Sequence, residues 1–236
     1  MTVWIRADGS VEPSSANVSK LDETTYVLTG NVEDGIVVEK GGIVLDGRGY
    51  TVQGRGVGTG MALEKVRNVK IVNVVVKGFQ HGIFLEESSN IEVAESMLTD
   101  NGRFQEFYCF SYGIYLYSSS NNSITGNRVE DNGCGGIGLY GSSENSIVGN
   151  TVLNDEDGIV LEDSSRNNVS KNSIANNVHG ILLKRSSGNI IEGNSIEKNS
   201  TGIEISEFSG NNSIAGNRIK TVVTVSISLT DPKIIV

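Results

Sequence analysis

Two residue registers recur through this chain at the same interval of about 22 residues, and that interval restricts what it can fold into. A Gly-apolar pair stands at Gly60-Met61, Gly82-Ile83, Gly113-Ile114, Gly136-Ile137, Gly158-Ile159, Gly180-Ile181 and Gly202-Ile203, spaced 22, 31, 23, 22, 22 and 22 residues apart. A second register runs through Asn73, Glu95, Asn127, Asn150, Asn172, Asn194 and Asn217, spaced 22, 32, 23, 22, 22 and 23. Both stretch at the same place, so one repeat carries an insertion, over about residues 101–112. Fixed self-similarity at this period marks a stacked-repeat architecture.

Each repeat holds three short segments of alternating polarity, such as Ile159-Val160-Leu161, Val169-Ser170-Lys171 and Ser173-Ile174-Ala175. Segments this short do not make helices, and their period of two puts the apolar residues on one side. Three strands and three turns in about 22 residues make one coil of a solenoid. Coils stacked about 4.8 Å apart pair every strand with its neighbour and bury the inward side chains. The recurring Asn falls in a tight turn, where it tolerates a left-handed backbone and can form a ladder of side-chain amides. A leucine-rich-repeat horseshoe would need a Leu-dominated pattern with the Asn inside the strand. The chain is rich in Gly, Asn and Ser, but regularly placed Ile, Val and Leu argue against a disordered linker.

The formal charge is −9, from 28 acidic and 19 basic side chains. Phosphate backbones are bound by Lys and Arg, so nucleic acid is not an expected partner. An acidic surface suits cations and neutral or basic ligands. No run approaches the roughly 20 apolar residues that span a bilayer, and no basic stretch followed by an apolar core opens the chain.

Units such as Gly158-Ile-Val-Leu-Glu-Asp-Ser-Ser-Arg-Asn-Asn-Val-Ser-Lys-Asn-Ser-Ile174 resemble the repeats of the NosD-type group. This group is also called the domain of carbohydrate-binding proteins and sugar hydrolases, within the pectin-lyase-like superfamily. The opening Trp4-Ile-Arg-Ala-Asp-Gly-Ser-Val-Glu-Pro13 and Gly42-Ile-Val-Leu-Asp-Gly-Arg-Gly-Tyr-Thr-Val52 resemble the start of secreted archaeal and bacterial members. The resemblance implies an all-β, right-handed parallel β-helix with an Asn ladder, as one domain over residues 1–236. Residues 1–58 would cap its N-terminal end and 59–230 would make regular coils. It also implies an extracellular or cell-surface location. It is specific for fold and not for activity, because one scaffold carries many chemistries.

In the Gly-Ile-x-Leu strand, residues one and three after Gly are expected to point inward and those two and four after it outward. The outward columns bring together Phe84, Tyr115, Tyr117 and Tyr140, flanked by Glu86 and Glu162. The insertion adds Phe104, Phe107, Tyr108, Phe110 and Tyr112. Exposed aromatic rings stack on sugar C–H faces while carboxylates accept hydroxyl hydrogen bonds. The expected partner is therefore a polysaccharide or glycan bound along the first sheet without catalysis. A satellite core beneath the insertion would explain the same aromatics, and a purely structural spacer or adhesin is the corresponding reading of the whole chain.

An enzymatic alternative is a lyase or uronate epimerase, which the resemblance brings with it. Such an enzyme needs a base and a means of neutralising a carboxylate. His179 should stack one coil beyond Asp157, and Lys184 lies beside Glu162, so Asp157, His179 and Lys184 are the catalytic candidates. No cofactor is expected unless Ca2+ binds the acidic turns, through Asp131, Asp155 and Asp157. The charges have an ordinary explanation too: Glu162 beside Lys184 and Asp163 beside Arg185 are cross-strand pairs. The NosD name suggests copper, but two His, two Cys and three Met show no metal-ligand spacing. Cys109 and Cys134 occupy corresponding turns and could be bonded or free.

Overall fold

The structure, a computed structural model, describes residues 1–102, 111–206, 208–221 and, as backbone, 223–227. The chain winds as a right-handed parallel β-solenoid of about eight turns of about 22 residues, with no helix among the described residues. Among the described residues, three sheets of 11, 10 and 9 strands run along it. One coil shows how they arise. Asp157–Glu162 lies in the first sheet, Asn168–Ser170 in the second and Ser173–Ala175 in the third. Each pairs in parallel with the strand one coil on, through Ile159↔Ile181, Val169↔Ile191 and Ile174↔Ile196. Residues 36–53 already complete such a coil, in register with 59–77. At the N-terminal end Val11–Glu12 and Val18–Lys20 add antiparallel, closing the edges of two sheets.

The inward columns form a continuous core. Ile83, Ile114, Ile137, Ile159, Ile181 and Ile203 have no exposed surface, and the Leu column of Leu85, Leu116, Leu139, Leu161 and Leu183 is equally buried. Each such side chain contributes about 1.5–3 kcal/mol by leaving water. The Gly before each Ile is required by a close approach between coils. A Cβ on Gly158 would lie 2.5 Å from the carbonyl oxygen of Gly180, and one on Gly180 would lie 2.5 Å from that of Gly202.

Every corner carries a side-chain ladder, where the sequence led us to expect one. Asn122, Asn145, Asn167, Asn189 and Asn212 line the turn into the second sheet, beside a column running from Ser88 through Ser119, Ser142, Ser164 and Ser186 to Ser209. Asn127, Asn150, Asn172, Asn194 and Asn217 line the turn into the third. Asn101, Asn132, Asp155, Asn177 and Asn199 line the return to the first. Within a rung the Asn oxygen accepts from the preceding coil, while its amide donates one hydrogen back to that coil and one onward. Asn150, for example, gives Nδ2 hydrogen bonds to Ile124 O at 2.8 Å and Asn172 Oδ1 at 3.1 Å.

Asn73 and Glu95 are not rungs, which corrects the register read from spacing. Both adopt positive φ, at 54° and 50°, the place that Gly126 and Lys171 take in later coils. The residues aligned with Asn127 are Val74 and Ser96: Val74 N donates to Ser96 Oγ, and Ser96 N to Asn127 Oδ1. Left-handed backbone favours Asn as strongly as the rung does, so the two adjacent positions attract the same residue type. Shifting by one restores spacings of 22 and 31, equal to those of the glycines.

Candidate functional site

The outer face of the first sheet has two halves. The half from His81 to Tyr140 is aromatic. Tyr115 stacks with Phe84 at 5.4 Å between ring centroids, with His81 at 5.3 Å and with Tyr112 at 5.0 Å. These rings bury one another, so Tyr115 faces outward yet is only 4% exposed. It supports neighbouring rings and offers little surface to a ligand, contrary to the expectation that Tyr115 stacks on a sugar as an exposed ring. Tyr117 and Tyr140 differ. Their rings lie one coil apart, nearly parallel at 6° and 5.6 Å between centroids, and Tyr117 is 37% exposed. Phe84 and Glu86 are half-buried in the preceding coil. Phe104, Phe107, Tyr108 and Phe110 lie outside the described residues, as does Cys109; Cys134 is buried and disulfide-bonded.

Tyr112 was counted only as part of the insertion, and its position is the feature that sequence reasoning missed. Its ring lies across the next coil, where Gly135 and Gly138 face outward. A Cβ on Gly135 would stand 2.4 Å from ring atom Cε1, and one on Gly138 2.7 Å from it. Two glycines at outward positions of one strand were the available signal. Burial, reinforced by the charge of Asp157, pushes the Tyr112 hydroxyl well above the usual tyrosine range. Tyr112 thus joins the aromatic half to a second half made of charges.

In that second half, His179 stands one coil beyond Asp157 and one before Thr201. Its Nδ1 is 2.6 Å from Asp157 Oδ1, and its Nε2 is 3.3 Å from Glu204 Oε2. Each ring nitrogen therefore faces a carboxylate oxygen. Glu162 pairs with Arg185 and not with Lys184. Arg185 reaches Glu162 Oε1 at 2.5 Å and holds Asp163 in a two-pronged contact at 2.8 and 3.0 Å. Lys184 keeps no ion pair among the described residues.

The acids named for Ca2+ do not converge. Asp131 accepts from Asn154 Nδ2 at 3.3 Å on the turn surface, and Asp157 is engaged with His179. Asp155 points inward as a rung, accepting from Asn132 N at 2.7 Å while its own N donates to Asn177 Oδ1 at 2.8 Å. Its Oδ2 is buried without a partner among the described residues, in the place where Asn101 and Asn177 present an amide that donates onward. Burial pushes this carboxyl up to about 8. Protonated, it carries the one hydrogen that lets it imitate the amide.

Residues 30–233 match the family described as Periplasmic copper-binding protein (NosD). The chain belongs to the NosD family. No curated protein sequence matches it. Among solved structures, it resembles a variant of the periplasmic alginate epimerase AlgG, with TM-score 0.57 and 16% identity, over 96% of this chain and 67% of that one. It also resembles the enzymatically active domain of bacteriophage CBA120 tailspike protein 2, with TM-score 0.65 and 15% identity over 86% of this chain, and spans 37% of that chain. The A-module of the Azotobacter vinelandii mannuronan C-5 epimerase AlgE4 gives TM-score 0.51 and 17% identity, over 100% of this chain and 88% of that one. At these identities the likeness is one of fold.

The residues of this NosD-family chain do not fit a copper centre. His81 and His179 lie in strands of the first sheet separated by three others. His81 Nδ1 is buried without a partner among the described residues, and its ring is packed against Phe84 and Tyr115. Burial lowers its pKa to about 4. Cys134 is disulfide-bonded, and no three His, Cys, Asp or Glu side chains come together to hold a metal among the described residues.

Proposed function

We propose that this NosD-family solenoid binds a polysaccharide along the outer face of its first sheet, without turning it over. The observation that carries this reading is the parallel Tyr117–Tyr140 pair, two phenol rings set one coil apart on a rigid sheet. The stacked pair offers a sugar ring one apolar surface, while Glu86 and Glu162 stand in the same column to accept hydroxyl hydrogen bonds. The solved neighbours support it in kind, since two of them are named as epimerases of alginate or mannuronan. The family description is periplasmic and the Cys134 disulfide suits an oxidising compartment; both support a site of action outside the cytoplasm.

A second reading is favoured by one arrangement: Asp157, His179 and Glu204 in contact across three coils, with the Tyr112 ring alongside. These are groups for acid–base chemistry on a bound polymer, as in a lyase or epimerase. A glycan array followed by product analysis separates the two. We expect retention of at least one polymer, abolished in Tyr117→Ala/Tyr140→Ala, with no change in the polymer recovered. Retention unaffected by the double substitution rejects the platform, and a product lost in His179→Ala favours the second reading.

A further inference from the structure

We infer that the Tyr117–Tyr140 platform selects a glycan bearing free amino groups and rejects polyuronates. The inference rests on the polysaccharide reading above and adds the charge of the ligand. The column through the platform runs Glu64, Glu86, Tyr117, Tyr140, Glu162, Lys184, each residue the register partner of the next. Both ends of the tyrosine pair are thus bounded by carboxylates. Their surroundings are unequal. At one end Arg185 already holds Glu162 and Asp163. At the other, three carboxylates share one cation: Lys65 bonds Glu64 at 3.2 Å and feels the charges of Glu87 and Glu86. Glu86 has no ion pair of its own among the described residues, and it stands beside Tyr117, one coil spacing of about 4.8 Å away.

An ammonium placed there meets a carboxylate and the face of an aromatic ring, two interactions that attract the same charge. A sugar carboxylate meets repulsion from Glu86 and Glu87 instead, and on the far side from Asp157 and Glu204 around His179. Among the described residues of this column Lys184 is the exception, but it lies two coils beyond Tyr140, between Glu162 and Ser206, so it does not reverse the sign.

The test is calorimetric titration of the intact chain with three matched oligosaccharide sets: β-1,4-linked glucosamine, its N-acetylated counterpart and oligouronates, at low and high salt. We expect glucosamine oligomers to bind about threefold to tenfold tighter than the N-acetylated ones at low salt. Glu86→Gln should erase that difference, read as the ratio of the glucosamine to the N-acetylated affinity in the same variant. High salt should narrow the difference, because exposed charges are screened. Equal affinity for the two hexosamine sets, or stronger binding of oligouronates, overturns the inference while leaving the platform intact, provided Tyr117→Ala still abolishes binding. Absence of binding by all three sets and by the wider array overturns the platform, and this inference with it.

Discussion

Two corners of the same coils are built on one plan and differ in a single side chain. The ladder through Asn127, Asn150, Asn172, Asn194 and Asn217 is amide throughout, and each described rung both accepts and donates. The ladder through Asn101, Asn132, Asp155, Asn177 and Asn199 has a carboxyl at its centre, and at that rung the onward donor is missing unless the acid holds a proton. The backbone follows the same path in both. A rung is therefore specified by its pattern of donors and acceptors, and protonation is the one route by which Asp can supply what Asn supplies at every pH.

The largest effect is expected where the complete ladder is broken. Asn150→Ala removes four hydrogen bonds and leaves Asn127 N, Asn127 Nδ2, Ile124 O and Asn172 Oδ1 short of a partner in the buried corner. A loss of about 3–5 kcal/mol in urea unfolding is expected, since several buried polar groups lose partners together. A loss under 1 kcal/mol would mean that water replaces the rung at little cost.

The next effect is a gain. The Asp155 carboxyl is raised to about 8 in the fold, against about 3.9 in the unfolded chain. The folded state therefore keeps a proton that the unfolded state releases. Stability is highest below the unfolded pKa and falls as pH rises from about 4 to 8. Asp155→Asn should remove this slope and raise stability at pH 7 by about 2–4 kcal/mol. Urea titrations of both proteins between pH 5 and pH 9 check it; parallel curves would show that Asp155 is ionised in the fold and held by something other than its proton.

The smallest effect concerns the hydroxyl column beside the amides. Ser142 Oγ accepts from Ser119 N and lies within hydrogen-bonding distance of Leu116 O and Tyr140 O, but one hydroxyl has one proton to give. Ser142→Ala should cost about 1 kcal/mol by urea unfolding, clearly less than the Asn change. Equal losses would remove the distinction between the two rung types.

The core columns were legible in the sequence because period-two alternation and the 22-residue interval overdetermine them. Loss of register by one residue at Asn73 and Glu95 came from the left-handed position preceding each rung, which accepts Asn on its own account. Asp155 stands with Glu156 and Asp157 in an acidic turn, company that points to a cation before it points to a buried rung. Its spacing of 23 from Asn132 and 22 to Asn177 identifies a rung, but only once the third ladder is known. For Tyr115 the direction was right and the exposure was not, because ring packing across coils depends on where Tyr112 lies. Contact between His179 and Asp157 followed from stacking alone. Glu204 was in an outward column, two coils from Asp157, and its approach to the second ring nitrogen depends on rotamers that spacing does not encode.

The glycine before each inward Ile of the first sheet has a consequence for how such a molecule changes size. Because the carbonyl of each such glycine sits where a side chain on the preceding coil's glycine would be, the junctions between regular coils are of one kind. A whole coil can be removed or repeated without a new kind of joint, while a fractional change would set a side chain against that carbonyl. Length in this chain is counted in units, and a surface running along it can be lengthened or shortened only by steps of one coil, about 4.8 Å each.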